Sequence, residues 1–163
     1  MRFLLIIMSI LVLGGCWAQD EMLRIQKNGD VSMAVIVMPD WEFTSKSEVD
    51  SKANQYEEEM RKAGWTLNKS FNGDEGDYID LHYVISGNLH KVNAKTSFYE
   101  ITKRDSKTVI IKFLTPTFDG EPVDRKIYFD YSVANTATVF GKDRSLVQEI
   151  DRVDRENIYT ISL

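Results

Sequence analysis

Cysteine and histidine carry most nucleophilic and acid–base chemistry in proteins, and this chain has few of either. It contains one cysteine, Cys16, and two histidines, His82 and His90. These numbers exclude a cysteine-rich zinc site and a metal site built on several histidines. The sequence also lacks the nucleophile-elbow, HExxH, P-loop and GxGxxG motifs. Neither histidine has the orienting partner that catalysis needs, so we expect no catalytic residue and no enzyme activity.

An acidic loop offers the oxygen ligands that a hard cation prefers. The segment Asn72-Gly73-Asp74-Glu75-Gly76-Asp77 interleaves glycine with oxygen-bearing side chains. Asn72, Asp74 and Asp77 are therefore candidate calcium ligands, although the spacing is not that of an EF-hand. Glycine and aspartate are also the residues that a plain exposed turn favours. The turn is the favoured interpretation, and we predict no cofactor.

Three aromatic side chains flank the helix that the sequence predicts. Trp41 and Phe43 precede this helix, and Trp65 follows it. We expect both positions to lie at one end of a helix–sheet sandwich. There they pack in the core, with a hydrophobic staple where the helix begins, or they rim a groove for a lipid, glycan or peptide.

The N-terminus carries a targeting signal. Arg2 precedes an apolar run of eleven residues from Phe3 to Leu13. As a helix this run spans about 16 Å, whereas a bilayer core is about 30 Å thick. The run therefore fits the apolar region of a secretory signal better than a membrane anchor, with a buried core helix as the alternative.

The residues that follow this run, Leu13-Gly14-Gly15-Cys16, resemble the lipobox of bacterial lipoprotein precursors. The resemblance implies cleavage between Gly15 and Cys16. It also implies a diacylglycerol thioether and an amide-linked acyl chain, such as palmitate, on Cys16. Trp17 stands where the enterobacterial inner-membrane retention signal has aspartate, which favours the periplasmic side of the outer membrane in a Gram-negative host. In a Gram-positive host the protein lies on the outer face of the only membrane. The alternative is an ordinary secretory signal followed by an unmodified cysteine.

Hydrophobic periodicity predicts the first elements. Asn28-Gly29 lies between two alternating runs, which predicts strands near 21–27 and 30–38 joined by a type I′ turn. Ser45 and Glu48 form a capping-box pattern ahead of an amphipathic helix near 46–63, and Gly64 ends it.

After the helix, alternation with a period of two predicts a run of strands. The predicted strands cover residues 65–71, 79–85, 97–103, 107–114, 126–133, 137–140, 145–153 and 157–163, with a loop at 118–122. The segment 146–153 also fits a short helix.

These elements predict an α+β fold with a largely antiparallel β-sheet. An N-terminal hairpin and the one helix precede the run of strands. We expect a signal peptide over 1–15, the lipidated cysteine and a short tether over 16–20, and a single domain over 21–163. One helix covers only part of such a sheet, so a second sheet, a barrel-like curl or a partner must bury the rest. The order of hairpin, helix and strands behind a lipobox resembles LppM-like lipoprotein domains.

Composition narrows the class of protein. The chain has 163 residues, 28% of them charged and 43% hydrophobic, with a formal net charge of −5. These values exclude a disordered chain, a collagen and a polytopic membrane protein. The acidic balance gives no reason to expect a nucleic-acid partner.

We therefore expect a membrane-anchored lipoprotein that binds or scaffolds an envelope component without catalysis. This function requires an exposed apolar patch or an open sheet edge. A carrier of a lipid or peptide is the first alternative, and it requires a cavity on the order of several hundred Å³ beneath the apolar stripe from Val49 to Met60. An envelope hydrolase is the second, and it requires carboxylates that converge in a cleft with shifted pKa values, with His82 or His90 as a further group. The 25 acidic residues make candidate pairs unspecific.

Overall fold

The computed structural model describes residues 17–42, 44–73, 80–118, 120–153 and 157–163. The predicted signal peptide over 1–15 and the predicted lipidation site Cys16 lie outside these residues. In the described ranges no helix is both long and apolar enough to cross a membrane. The elements are β1 (Trp17–Ile25), β2 (Asp30–Pro39), α1 (Lys46–Lys62), β3 (Thr66–Asn72), β4 (Asp80–Asn88), β5 (Tyr99–Arg104), β6 (Thr108–Phe113), β7 (Thr117–Phe118), β8 (Glu121–Pro122), β9 (Asp124–Phe129), β10 (Thr138–Phe140), β11 (Glu149–Ile150) and β12 (Ile158–Ser162).

The architecture is α+β, as predicted. A six-stranded sheet has the order β11-β9-β1-β2-β4-β3, and a four-stranded sheet has the order β10-β12-β6-β5. Every pair in these sheets is antiparallel except β1 and β9, which run parallel. A parallel pair needs a long connection, and here most of the chain lies between β1 and β9.

The hairpin between β1 and β2 forms as predicted, but its turn is of another type. Gly29 has a φ of 85°, whereas Lys27 and Asn28 do not have positive φ. The amide of Gly29 donates to the carbonyl of Gln26 at 2.9 Å, and the amide of Gln26 donates to the carbonyl of Asp30 at 2.8 Å. This is a three-residue loop with one left-handed glycine at a bulge, so the type I′ prediction is wrong.

The strand β1 begins at Trp17, where the sequence predicts a tether over 16–20. Trp17, Gln19 and Glu21 are buried on one face of β1, and Trp17 pairs with Pro39. Alternation therefore continues through residues 17–21, but two of the three buried side chains are polar. Because the hydrophobic pattern predicts a strand from apolar residues at alternate positions, it does not indicate a strand over residues 17–21.

The helix α1 follows its prediction closely. Ser45 is its N-cap, and its amide donates to the Glu48 carboxylate at 2.8 Å while Glu48 donates its own amide to the Ser45 hydroxyl at 3.4 Å. Beyond Ala63, Gly64 adopts a φ of 94° and ends the helix. The predicted stripe is buried along one face and comprises Val49, Ala53, Tyr56 and Met60.

Two later segments differ from their predictions. Over 145–153 only β11 is a strand, and the alternative short helix does not form. The Asp143 carboxylate accepts hydrogen bonds from the amide and hydroxyl of Ser145 at 3.0 and 2.6 Å, so a local turn competes with extended pairing there. The predicted loop at 118–122 includes part of the small hairpin of β7 and β8, with Gly120 at a φ of 85°.

The helix and the four-stranded sheet together bury one face of the six-stranded sheet. The Tyr56 ring of α1 lies 5.3 Å from the ring of Tyr83 in β4 and 4.8 Å from that of Phe98. On the other side of the core, Phe113 of β6 lies 6.2 Å from Phe129 of β9. A second sheet is therefore what covers the apolar face that one helix leaves open.

A buried ion pair lies between the two sheets. Glu21 is 1% exposed and Arg125 is 4% exposed, and the Arg125 Nη2 donates to the Glu21 carboxylate at 2.9 Å. The Arg125 Nη1 donates to the carbonyls of Phe98 and Leu114 at 2.6 and 2.7 Å. Gln19 donates to Glu21 at 2.8 Å. The charges are thus paired and hydrogen-bonded, which burial requires.

This pair predicts a non-additive pattern of unfolding free energies. Arg125→Met leaves a buried carboxylate without its cation, and Glu21→Leu leaves a buried guanidinium, so each single variant should lose about 3–5 kcal/mol. The double variant removes both charges, so its loss of unfolding free energy should be clearly smaller than the sum of the losses in the two single variants. Urea unfolding measures the unfolding free energy of the two single variants and of the double variant. Additive losses of unfolding free energy would contradict the role given to the pair, and so would a loss below about 1 kcal/mol in either single variant.

Candidate functional site

The predicted aromatic groove is not formed by Trp41 and Trp65. Trp41 precedes α1 and Trp65 follows it, and a helix of 17 residues is about 25 Å long. Trp65 is buried and donates from its Nε1 to the Tyr99 hydroxyl at 2.9 Å. Trp41 is 38% exposed at the opposite end of the sheet. Phe43 lies outside the described residues.

The predicted calcium ligands are only partly described. Asn72 is exposed at the end of β3, opposite Asp80, and Asp74 and Asp77 lie outside the described residues. In the described part of the chain, no group of three or more His, Cys, Asp or Glu side chains could hold a metal ion.

The two histidines lie apart on β4 and just beyond it. His82 is half-buried on the face turned away from the core, and it pairs with Ile36 and Ser70 in the strand ladders. The exposed His90 packs over the hairpin turn, where a Cβ added to Gly29 would lie 2.8 Å from its Cδ2. Packing against a turn is a structural role for His90.

The interior beneath the helix is tightly packed. The cavity there has a volume of about 30 Å³, with Tyr56, Met60, Trp65 and Arg125 among its lining residues. That space is close to what one water molecule needs and far below the volume of a lipid or peptide. The cavity that a carrier requires is therefore not present beneath this stripe.

Among the described residues, every carboxylate whose pKa departs from its ordinary value has a lowered pKa. Hydrogen bonds from Ser132, followed by the Arg24 guanidinium, lower the pKa of Asp130 from 3.8 to about 2. Hydrogen bonds from turn, cap or neighbouring side chains likewise lower the pKa of Asp30, Glu48, Glu58, Asp105 and Asp143. A general acid needs a raised pKa, so these six groups are suited to turns and ion pairs instead.

The outward face of the six-stranded sheet carries apolar side chains that the core does not use. Residues paired across an antiparallel or parallel ladder point to the same face, and Met22 pairs with both Ala34 and Tyr128. Ala34 in turn pairs with Val84. Tyr128, Met22, Ala34 and Val84 therefore form one row across four strands, about 14 Å long at ~4.8 Å per strand. Ile36 extends this row on β2, and we call the five residues the outer-face strip.

The strip is well exposed and flanked by charges that are already paired. Met22 is 55% exposed and Val84 is 57% exposed. Arg24, two residues beyond Met22 on the same face, forms an ion pair with Asp130. On the other side of the strip, Lys126 lies opposite Asp20 in the strand ladder and forms an ion pair with Asp151.

A sequence signal for the strip exists but is easy to miss. The run Ala34-Val35-Ile36-Val37-Met38 in β2 is apolar at every position, whereas a strand buried on one face alternates. A continuous apolar run indicates that both faces of the strand are covered. Here one face is covered by the core, and the other is open.

The β3 edge of the same sheet is less suited to binding than the strip. Among the described residues, β3 has a neighbouring strand on one side only. Its exposed side chains are mostly polar, and Lys69 forms an ion pair with Glu57 at 3.0 Å. A polar edge with a lysine is a common protection against strand addition.

Comparison of the chain with protein-family models, with curated proteins and with solved structures finds no match.

Asp130, beside the strip, makes a pH-dependent contribution to stability through its hydrogen bonds with Ser132 and its ion pair with Arg24. The pKa of Asp130 is lower in the folded protein than in the unfolded chain. Its contribution is therefore complete above about pH 4 and is lost as the pH falls towards about 2. Asp130→Asn should unfold at lower urea concentration than the parent at neutral pH, and this difference should shrink over that acidic range. A difference in urea midpoint between Asp130→Asn and the parent that is the same at every pH would contradict this role of Asp130.

Proposed function

We propose that this protein is a bacterial lipoprotein whose domain binds another protein of the cell envelope, without catalysis, through the outer-face strip. The lipobox-like residues Leu13 to Cys16 support export and anchoring by acyl chains on Cys16. In a Gram-negative host we place it at the periplasmic side of the outer membrane. The exposed strip is the observation that carries the binding role.

The strip has the features of a protein-binding surface. The strip consists of four larger apolar side chains and Ala34 on one face of the sheet, so a flat partner surface can contact them together. A contiguous apolar patch rimmed by polar groups marks an interaction site more often than single exposed residues do. Burying this apolar area would gain about 25 cal/mol per Å².

The charges around the strip indicate how a partner is recognised. Arg24 forms an ion pair with Asp130, and the Lys126 Nζ lies 3.6 Å from the Asp151 Oδ1. The Asp151 carboxylate, followed by smaller effects that include Asp20, raises the pKa of Lys126. Since these charges compensate one another, the strip has little net charge of its own. We therefore expect binding to depend on apolar contact and only weakly on salt.

Cross-linking in native membranes tests this proposal with a matched pair of variants. The full-length protein should yield a reproducible cross-linked protein, identified by mass spectrometry. Met22→Lys with Val84→Lys places two charges in the strip and should reduce recovery of that protein by about ten-fold or more, because unpaired charges at an interface core are costly.

The control for this experiment lies on the other side of the domain. Ser51→Lys with Asn54→Lys adds the same two charges at exposed positions of α1, which packs against the opposite face of the sheet, and it should leave recovery unchanged. Thermal unfolding of both variants checks that the fold is kept. Equal recovery from the two variants, or no reproducible protein from the parent, would overturn the proposal.

A further inference from the structure

We propose that the end of the domain at which β1 begins rests on the phospholipid surface, with Trp41 and Phe71 in the interfacial layer. This inference rests on the proposed lipid anchor at Cys16. It adds a second membrane contact, made by the folded domain itself, and it determines which surface of the domain faces the bilayer.

The first observation is that the anchor point and the fold are adjacent. Cys16 is bonded to Trp17, the first residue of β1, and consecutive Cα atoms are about 3.8 Å apart. Trp17 is buried, donates from its Nε1 to Gln19 at 3.3 Å and lies 5.3 Å from the ring of Phe118. No tether separates a lipidated Cys16 from this packed residue. The start of β1 must therefore stay within a few ångströms of the lipid headgroups.

The second observation is that exposed aromatic rings lie at this same end. Trp17 pairs with Pro39, and Trp41 follows two residues later. Phe71 pairs with Leu81, which pairs with Val37 near the same end of β2. Trp41 is 38% exposed and Phe71 is 46% exposed. Tryptophan and phenylalanine gain from partial burial in a bilayer, and tryptophan is enriched at its interface.

The opposite end of the sheet has a different surface. The hairpin turn there carries Lys27, Asn28 and Asp30, and Asn88 donates to the Asp30 carboxylate at 2.8 Å. Trp65 at that end is buried, and Tyr131, which lies beside Lys27, is half-buried. A hydrated, hydrogen-bonded turn suits the aqueous side. The asymmetry between the two ends therefore agrees with the position of the anchor.

The charges at the anchored end indicate the kind of lipid. Asp40, Asp80 and Asp124 lie at or beside the ends of β2, β4 and β9 near Trp17. Acidic groups oppose an anionic surface, so the contact should depend on apolar insertion. We therefore expect binding to zwitterionic phospholipid that changes little with salt.

Tryptophan fluorescence tests this contact. The chain has three tryptophans, and Trp17 and Trp65 are buried. In the lipidated full-length protein on phosphatidylcholine–phosphatidylethanolamine vesicles, brominated lipid should quench emission from Trp41. Acrylamide quenching should fall about two-fold or more relative to the non-lipidated Cys16→Ser protein in solution, since an interfacial ring is shielded from water. Trp17 lies beside the anchor and contributes its own bromine quenching, so Trp41→Phe should leave that background and remove the rest of both effects.

A tryptophan at the other end provides the matched control. Trp41→Phe with Lys27→Trp places the probe on the hairpin turn, and brominated lipid should not quench it. Equal quenching at the two ends, or full acrylamide access to Trp41 in the anchored protein, would overturn the proposed orientation.

Two further measurements separate this inference from the proposed function. Intact-mass measurement of Cys16 and vesicle flotation report the anchor alone, and an unmodified protein that does not float would refute the anchor and the orientation together. The Met22→Lys and Val84→Lys variant impairs only the strip and should keep the Trp41 quenching. Loss of quenching in that variant would show that the strip, and not the anchored end, makes the lipid contact.

Discussion

The fold depends on the ion pair between Glu21 and Arg125. Arg125 belongs to β9, contacts Glu21 of the neighbouring β1, and donates to the carbonyls of Phe98 and Leu114 beside the four-stranded sheet. Its guanidinium lies 5.5 Å from the ring centre of Phe98 and 5.7 Å from that of Phe113. One side chain therefore joins both sheets, and a shift of either sheet would leave a charge buried and unpaired. We regard the pair as the constraint that determines how the sheets pack.

The interior beneath the helix is tightly packed, so the binding function that we propose is assigned to the surface. The cavity beneath the helix has the size of about one water molecule, and the lowered pKa values belong to turns, caps and surface ion pairs. The outer-face strip is different, because its apolar side chains have no role in the core. Met22 lies five residues beyond Trp17 along β1, or about 17 Å at ~3.3 Å per residue. If β1 rises from a membrane, the strip faces sideways at that height, towards neighbours in the same membrane.

Sequence patterns predicted the parts of the fold that local interactions determine. The capping box of Ser45 and Glu48 and the glycine at position 64 are local signals, and the helix follows them closely. The buried side chains of Gln19, Glu21 and Arg125 were not predictable in the same way. A polar residue on a buried face becomes stable only through its partner, and Glu21 and Arg125 are 104 residues apart in the chain. Trp41 and Trp65 lie apart because the length of the helix separates residues that flank its two ends.

The position of β1 has a mechanical consequence. The strand is central in its sheet, with nine residue pairs to β2 and six to β9. A pull on an anchor at its first residue acts along the strand, so the ladders on both sides are loaded in shear and share the force. A strand pulled away sideways from an edge would instead lose its hydrogen bonds one after another. The proposed anchor on Cys16 would therefore attach the domain through a strand that is paired on both sides.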